Sequence, residues 1–546
     1  MKKQLSLLSA LAVSGSASLA VLACQKVDPF DITIQANGSW IPAYQKAVDK
    51  LNNEYKDRGL KFKFSIKKID QLDHISNIEA KGIRDKNIAD IFAIPFDNYQ
   101  KAVRGGWIVN LTKEIKDVLV KNEDDIKRFG IKNTDKGIQV DSNKEVWTNS
   151  SHQTKNGLEY GMIPFSVENL VWMFDKKELG IEIDQTSKKG YLVGEKVKDL
   201  SDLAKIKIKN NGNGEKEVPA ATLENLIKIN KKYNSAVAFL PPQSGYLAGT
   251  VLNAYVNKNE DKISKKKADW STPGLIWANK GTELNSKEYV KYSSFMEDTE
   301  LKADFEYATE KLQELGKSYG QNVVNTMIGK EKDDEFNAKI NQLELDGTVK
   351  LKLAGPWEIK DTISRMNSKN KSVDFGFASV GSITVGKENE TNKLAGFAGG
   401  FGLVAKQTIS NKTSEDKNGK KVTKLEAAVE FMKEITKAEY NKDLAFVDGK
   451  ISSYKSVVDD VEKEWEKQSD EAKKLVAKAH KIILDTFSTN GKDKEFAPKP
   501  NTELFAKYWD PFTIAYRLSM KDGNGKFADL FRQQYEKEKQ KLIKGN

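Results

Sequence analysis

Cysteine is almost absent. Cys24 is the only one in 546 residues, so no disulfide can form within the chain and stability must come from the size of its cores. Histidine is nearly as scarce: His74, His152 and His480 lie far apart, and none has a neighbour at metal-ligand spacing. There is no Gly-Lys-Ser/Thr phosphate loop and no Gly-x-Ser-x-Gly elbow, which leaves nucleotide binding and serine acyl transfer without a signature. Arginine is short as well, with seven among 89 basic residues. The lysines are interleaved with Glu and Asp, so the formal charge of +11 reads as a solvated surface rather than a nucleic-acid patch. No metal, no cofactor and no nucleic-acid partner are expected.

What is present begins at the N-terminus. Lys2 and Lys3 precede the run "LSLLSALAVSGSASLAVLA", which ends at Cys24. A basic region, an apolar region and small residues before a cut describe a secretory signal over residues 1–23. Ser and Gly interrupt the run too often for a permanent membrane span. Val21-Leu22-Ala23-Cys24 resembles the lipobox of bacterial lipoproteins, which implies cleavage before Cys24 and lipid on its sulfur. Loss of Lys2 and Lys3 would lower the formal charge from +11 to +9. Acyl chains hold such a protein to the outer membrane face at about 0.8 kcal/mol per buried methylene. Residues 24–30 then read as a short tether.

From Asp31 onward, short apolar runs alternate with amphipathic helical stretches. "DITIQAN" and "KFKFSIKKI" alternate with period two, and "IADIFAI" is continuously apolar, as in a strand covered on both faces. Ile41 to Tyr55 reads as a helix, and "KLEAAVEFMKEIT" puts Leu425, Val429, Met432 and Ile435 on one stripe. Strands separated by helices imply an α/β fold with mostly parallel sheets. Length alone suggests about three or four domains. Three charged segments, 207–217, 257–267 and 410–421, read as loop insertions without cores and reduce the expectation to two. "GFAGGFG", 396–402, lacks dinucleotide-loop spacing and reads as a strand crossing where backbones approach closely.

The remaining signal is aromatic and carboxylate. Sugars have apolar C–H faces and polar rims, so a site for them needs flat aromatic platforms with carboxylates and amides at the edges. The candidates are Trp357, placed directly after the Gly355-Pro356 corner, Trp509 in "FAKYWDP", Asp97 in "IPFDNY" and Glu168 in "IPFSVEN". A carboxylate set between two hydrophobic runs, as Glu168 is, needs a partner in the protein or a ligand.

These stretches resemble the maltose-binding protein family. "YGMIPFSVENLVWMFDKKEL" is similar to the family's segment in which a strand crosses between lobes. "ADIFAIPFDNY" with "GGWIVNLT", then "KLKLAGPWEIKD", then "PNTELFAKYWDPF", follow in the family's order. The resemblance implies a two-lobed type II solute-binding fold, each lobe a mostly parallel sheet flanked by helices, with the chain crossing at a hinge. It places 31–166 with about 395–449 in one lobe and 167–394 with about 450–546 in the other. It implies no enzymatic activity, an oligosaccharide ligand with maltodextrin first, an ABC permease as recipient, and a monomer anchored through Cys24 on the extracellular face.

Carried over residue by residue, Trp357 and Trp509 correspond to sugar-stacking tryptophans, and Glu168 and Asp97 to hydroxyl-binding carboxylates. Tyr246 in "PPQSGYL" falls near the family's aromatic pair, and Asn37 ends the first strand. The sequence also departs from the pattern: the third stacking Trp is Ile94, the Arg after the Asp is Asn98, and a carboxylate near the aromatic pair is Gln243. The family's Asp-Lys pair is Ser39-Trp40; Trp40 either replaces a platform or packs under the first helix. Rival readings are a glycoside hydrolase using Asp97 and Glu168, a surface adhesin using the Lys-rich insertions, and a peptide or metal-chelate binder on the same fold. Cys24→Ser is expected to leave the fold intact and shift the protein from membrane to soluble fractions; a variant that stays with membranes contradicts the lipobox reading.

Overall fold

The computed structural model describes residues 28–544 apart from internal stretches, the longest being 193–204, 234–243, 259–269, 281–298, 319–332 and 498–508. The signal segment and Cys24 therefore lie outside the described residues, as do Gln243 and most of the second charged insertion. In the first and third, Lys205–Lys209 with Glu215–Pro219 and Thr413–Glu415 with Lys421–Thr423 pair as antiparallel hairpins rather than structureless loops.

The alternating and apolar runs build two sheets. We number their strands β1 (Asp31–Ala36), β2 (Lys63–Lys68), β3 (Ile91–Pro95), β4 (Ile163–Glu168), β5 (Val171–Asp175), β6 (Leu351–Ala354), β7 (Phe375–Ser379), β8 (Gly399–Ala405) and β9 (Ile451–Ser452). The first sheet has six strands in the order β2-β1-β3-β8-β4-β9, and the second has three in the order β6-β5-β7. The α/β architecture is as expected, but the strand directions correct the expectation of mostly parallel sheets. β1 runs parallel to β2 and β3, whereas the β3–β8, β4–β8 and β4–β9 ladders are antiparallel. Both ladders of the second sheet are antiparallel. β8 and β9 join the first sheet from distant parts of the chain, and β6 and β7, linked to each other through the helix Pro356–Ser368, both lie antiparallel to β5.

The chain leaves the first sheet after Glu168, starts the second at Val171, returns at Gly399 and adds its last strand of the first sheet at Ile451. Only Asn169 and Leu170 separate β4 from β5. The glycine-rich segment sits beside this crossing, with Gly399 opposite Glu168 and Gly400 opposite Val167. A Cβ on Gly400 would lie 2.0 Å from the Ser166 carbonyl oxygen, so the close backbone approach is what the glycine permits.

Helices cover both sheets. Those used below are α1 (Ile41–Arg58), α2 (Ser244–Lys258), α3 (Pro356–Ser368), α4 (Lys424–Ile435), α5 (Ala438–Asp448), α6 (Lys455–Glu466), α7 (Glu471–Thr486) and α8 (Trp509–Ser519). α4 buries the Val429, Met432 and Ile435 side of the expected stripe. It starts at a capping box in which Thr423 and Glu426 satisfy each other's backbone N–H groups.

Three buried clusters result. One packs α1 and α4 against the first sheet through Tyr44, Phe64, Phe165, Phe401 and Phe431. A second gathers Val251, Phe305, Leu353, Phe512 and Phe531. The third joins the sheets, because Ile94 and Val167 of the first share it with Val171 and Phe377 of the second and with Trp465 and Ile483 of α6 and α7. No helix among the described residues is long and apolar enough to cross a membrane.

The histidines belong to this packing. His74 is buried and its Nε2 accepts from the Ala89 N–H at 3.0 Å, and His480 is buried beside Trp465. Burial lowers the pKa of His74 to about 4 and of His480 to about 3. Both imidazoles are thus neutral when folded, while the unfolded chain takes up protons below about pH 6.5. Their contribution to stability is present above that pH and is lost as pH falls toward the folded values. His480→Leu should flatten the fall in urea-unfolding free energy between pH 6.5 and 4.5 by up to ~1.4 kcal/mol per pH unit. An unchanged slope would contradict the assignment.

Candidate functional site

The strand "KLKLA" ends as β6 at Ala354, and the corner that follows is a helix start rather than a loop: Pro356 is the first residue of α3 and Trp357 the second. Proline suits that position, since its missing N–H has no intrahelical acceptor there. Gly355 leaves room for the indole to lie back over the chain, as a Cβ at 355 would come within 2.3 Å of Trp357 Cζ2. Trp357 is half-buried, with the Tyr246 ring centroid 5.9 Å away at an interplanar angle of 53°. The two rings form a tilted aromatic corner contributed by α2 and α3.

This corner opens on a cavity lined by Glu168, Asn169, Leu170, Tyr246, Trp357, Phe397 and Gly399. Three of the residues singled out from sequence, Glu168, Tyr246 and Trp357, therefore meet around one space. The space left free between these side chains is about 20 Å³, room for about one water, so the site as it stands is narrow. Glu168–Leu170 are the residues of the crossing itself, so the cavity floor is the connection between the two sheets. Asn169 is locked there, donating from Nδ2 to Thr486 Oγ1 at 2.8 Å while its Oδ1 accepts from the Leu170 N–H at 2.8 Å.

The electrostatics is acidic and well supported. Burial raises the pKa of the Tyr246 phenol, and the carboxylates of Glu168, Asp97 and Glu358 raise it further, in that order. Tyr246 thus stays protonated, a donor and acceptor at neutral pH. Asp97, half-buried in a short turn of helix after β3, is within electrostatic reach of Tyr246 but does not line the cavity. Behind Trp357, burial raises the Glu358 pKa against the opposing pull of the Lys352 ammonium. Lys352 is buried with Nζ 2.9 Å from Glu344 and 3.6 Å from Glu358, so the indole rests on a compensated ionic layer.

Sequence reasoning missed one residue of this site. Lys450 Nζ donates to Glu168 Oε1 at 2.7 Å, the lysine side chain being 6% and the glutamate 15% exposed. The same ammonium sits 4.1 Å from the centroid of the Phe401 ring. Its position is fixed from both sides. Gly449, with φ of 61°, caps α5 in the left-handed region, and Ile451 pairs with Val167 in the strand that carries Glu168. Among some ninety basic residues spread evenly along the chain, nothing local marks Lys450; its partner is 282 positions away.

Trp40 resolves to the structural alternative. It is fully buried, tilted against Tyr44 and Phe165 at 5.8 and 5.9 Å, and its indole N–H donates to Asp448 Oδ2 at 2.7 Å. With no face open it is not a platform, which corrects its inclusion among ligand-contacting candidates. Asn37 uses its Oδ1 internally, accepting from Gln35 Nε2 at 3.0 Å and the Gln71 N–H at 2.9 Å. It does not line the cavity. Trp509 opens α8, and its side chain lies outside the described residues. Among the described residues no group of His, Cys, Asp or Glu is placed to hold a metal.

No family model matches the sequence, and no curated protein matches it either. Solved structures do. A cyclo/maltodextrin-binding protein complexed with maltotetraose is 13% identical, with 95% of this chain and 98% of that chain covered at a TM-score of 0.55. MalX from Streptococcus pneumoniae, in complex with maltopentaose, is 14% identical over 93% of this chain and 99% of that one, at 0.53. The Thermus thermophilus maltotriose binding protein is 15% identical over 94% and 100%, at 0.52. At these identities the likeness is one of fold: the chain has the two-lobed type II solute-binding architecture.

Proposed function

We propose that this protein is an extracellular solute-binding lipoprotein that captures an oligosaccharide, maltodextrin first, in the cavity floored by the Glu168–Leu170 crossing, and presents it to an ABC permease. The observation that carries the reading is the meeting of Trp357, Tyr246 and Glu168, drawn from three distant parts of the chain, around one space in this fold. Each does what a sugar requires. The Trp357 indole offers an apolar face to a pyranose, worth about 1 kcal/mol beyond area burial. Tyr246 offers a rigid phenol. Glu168 accepts hydroxyls through a carboxylate whose Oε1 is already held by Lys450, leaving Oε2 for the ligand. A neutral polyol gains most from such fixed acceptors when water is excluded.

One lobe would be built on the first sheet, which includes Glu168 and Ser452, and the other on the second, closing over the cavity about the crossing. Ligand would favour the closed arrangement only by its differential affinity for it, and the permease would favour release by the same logic. Asp97 and Trp509 would complete the site from the two sides. Cys24, carrying lipid, would keep the receptor at the membrane face, as a monomer without cofactor.

Calorimetric titration with glucose, maltose, maltotriose and maltotetraose, against unrelated sugars and peptides, tests the proposal. Saturable binding of one glucan class is expected, and Trp357→Ala should weaken it by roughly 1–3 kcal/mol through the lost ring contact and burial. Full affinity in that variant would remove Trp357 from the site, and no binding of any saccharide would overturn the function.

A further inference from the structure

The cavity lining contains a single charged side chain, Glu168, and the cation that compensates it is not in the lining but behind it. Lys450 reaches Glu168 from the far wall, with its ammonium over the Phe401 ring and its own side chain almost wholly buried. Tyr246 senses two further carboxylates, Asp97 and Glu358, and Glu358 has its own counterion in Lys352. Without Lys450, the floor would hold a carboxylate at 15% exposure facing an aromatic cavity with no ion-pair partner. Such a group either takes up a proton and loses acceptor strength, or recruits a cation from solution.

Resting on the saccharide reading above, we propose that Lys450 is a specificity-determining positioning residue: by neutralising Glu168 from behind, it makes the cavity accept uncharged saccharides and reject saccharides bearing an amine. The backbone supports this role. Asp448, Gly449 and Lys450 are consecutive. Asp448 is held by the buried Trp40 indole, and Gly449 packs on the start of α3, where a Cβ would lie 2.4 Å from the Pro356 carbonyl carbon. Asn441 Nδ2 donates to the Lys450 carbonyl at 3.2 Å. The ammonium is therefore delivered to one point, between the platform helix and the crossing, and a shift of that segment moves both walls of the site. The pair also fixes which carboxylate oxygen is spent. Oε1 is taken by the lysine, so among the described residues Oε2 is left to a ligand hydroxyl, whereas a ligand ammonium meets a carboxylate whose charge is already cancelled.

The test compares the full chain with Lys450→Met and Lys450→Arg by calorimetry. The ligands are maltotriose and the maltotriose analogue carrying an amino group in place of one 6-hydroxyl. The wild-type protein should prefer maltotriose. Lys450→Met should shift the ratio of the two affinities toward the amine by about tenfold or more, the scale of an unpaired charged contact. Lys450→Arg should restore the wild-type ratio. A purely structural lysine would weaken both ligands alike, so an unchanged ratio in Lys450→Met overturns the proposal even if both affinities fall. If that variant does not fold, Lys450→Gln, which keeps a donor for Oε1 without the charge, carries the same comparison. Failure of the wild type to bind maltotriose is seen before any variant is made and overturns the saccharide reading itself.

Discussion

The ion pair between Glu168 and Lys450 lies where every layer of the fold converges. Glu168 ends β4, the strand next to the edge of the first sheet, and begins the crossing to the second, and Lys450 immediately precedes β9, the edge strand that flanks it. A carboxylate in that place is costly unless it is compensated, because the crossing is packed on one side by the shared cluster and faces an aromatic cavity on the other. The lysine removes the cost while spending only one of the two carboxylate oxygens. Buried pairs of this kind add little net stability compared with apolar residues of the same size, so their retention is best understood through what they position.

Around that pair, small residues decide which large ones are available. Gly355 lets the Trp357 indole fold back over its own strand end, and Gly400 lets β8 run close against the strand carrying Glu168. Tyr246 then closes the corner from α2. The platform rests on the Lys352–Glu344 pair and the neighbouring Glu358, so a ring that looks exposed in sequence is supported from below by buried charge. The departures at Ser39-Trp40 and Asn98 remove basic residues from the segments that resemble the family. In this chain the cation beside Glu168 is Lys450, which follows α5 by one residue.

The strands and helices with a clear period were legible in the sequence. "DITIQA", "KFSIKK" and the α4 stripe fold as their periodicity requires, and the glycine-rich segment is a close crossing because only Gly tolerates the Ser166 carbonyl at that distance. Strand direction was not legible, since antiparallel returns from distant segments leave no local mark. Trp357, Tyr246 and Glu168 were found through residue chemistry and resemblance together. Trp40 was left open between two readings because an aromatic after Asn-Gly reads alike whether it faces a ligand or a core; its partner Asp448 is 408 positions away. Lys450 was invisible for the same reason, one lysine among many until the fold brings it to Glu168.

The most direct measurement is a crystal structure of the protein grown with saturating maltotetraose. The account predicts a glucosyl ring stacked on Trp357 and beside Tyr246, with a hydroxyl within about 2.5–3.0 Å of the Glu168 carboxylate, whose other oxygen stays on Lys450. A saccharide seated elsewhere, or an empty cavity at saturating ligand, would contradict it.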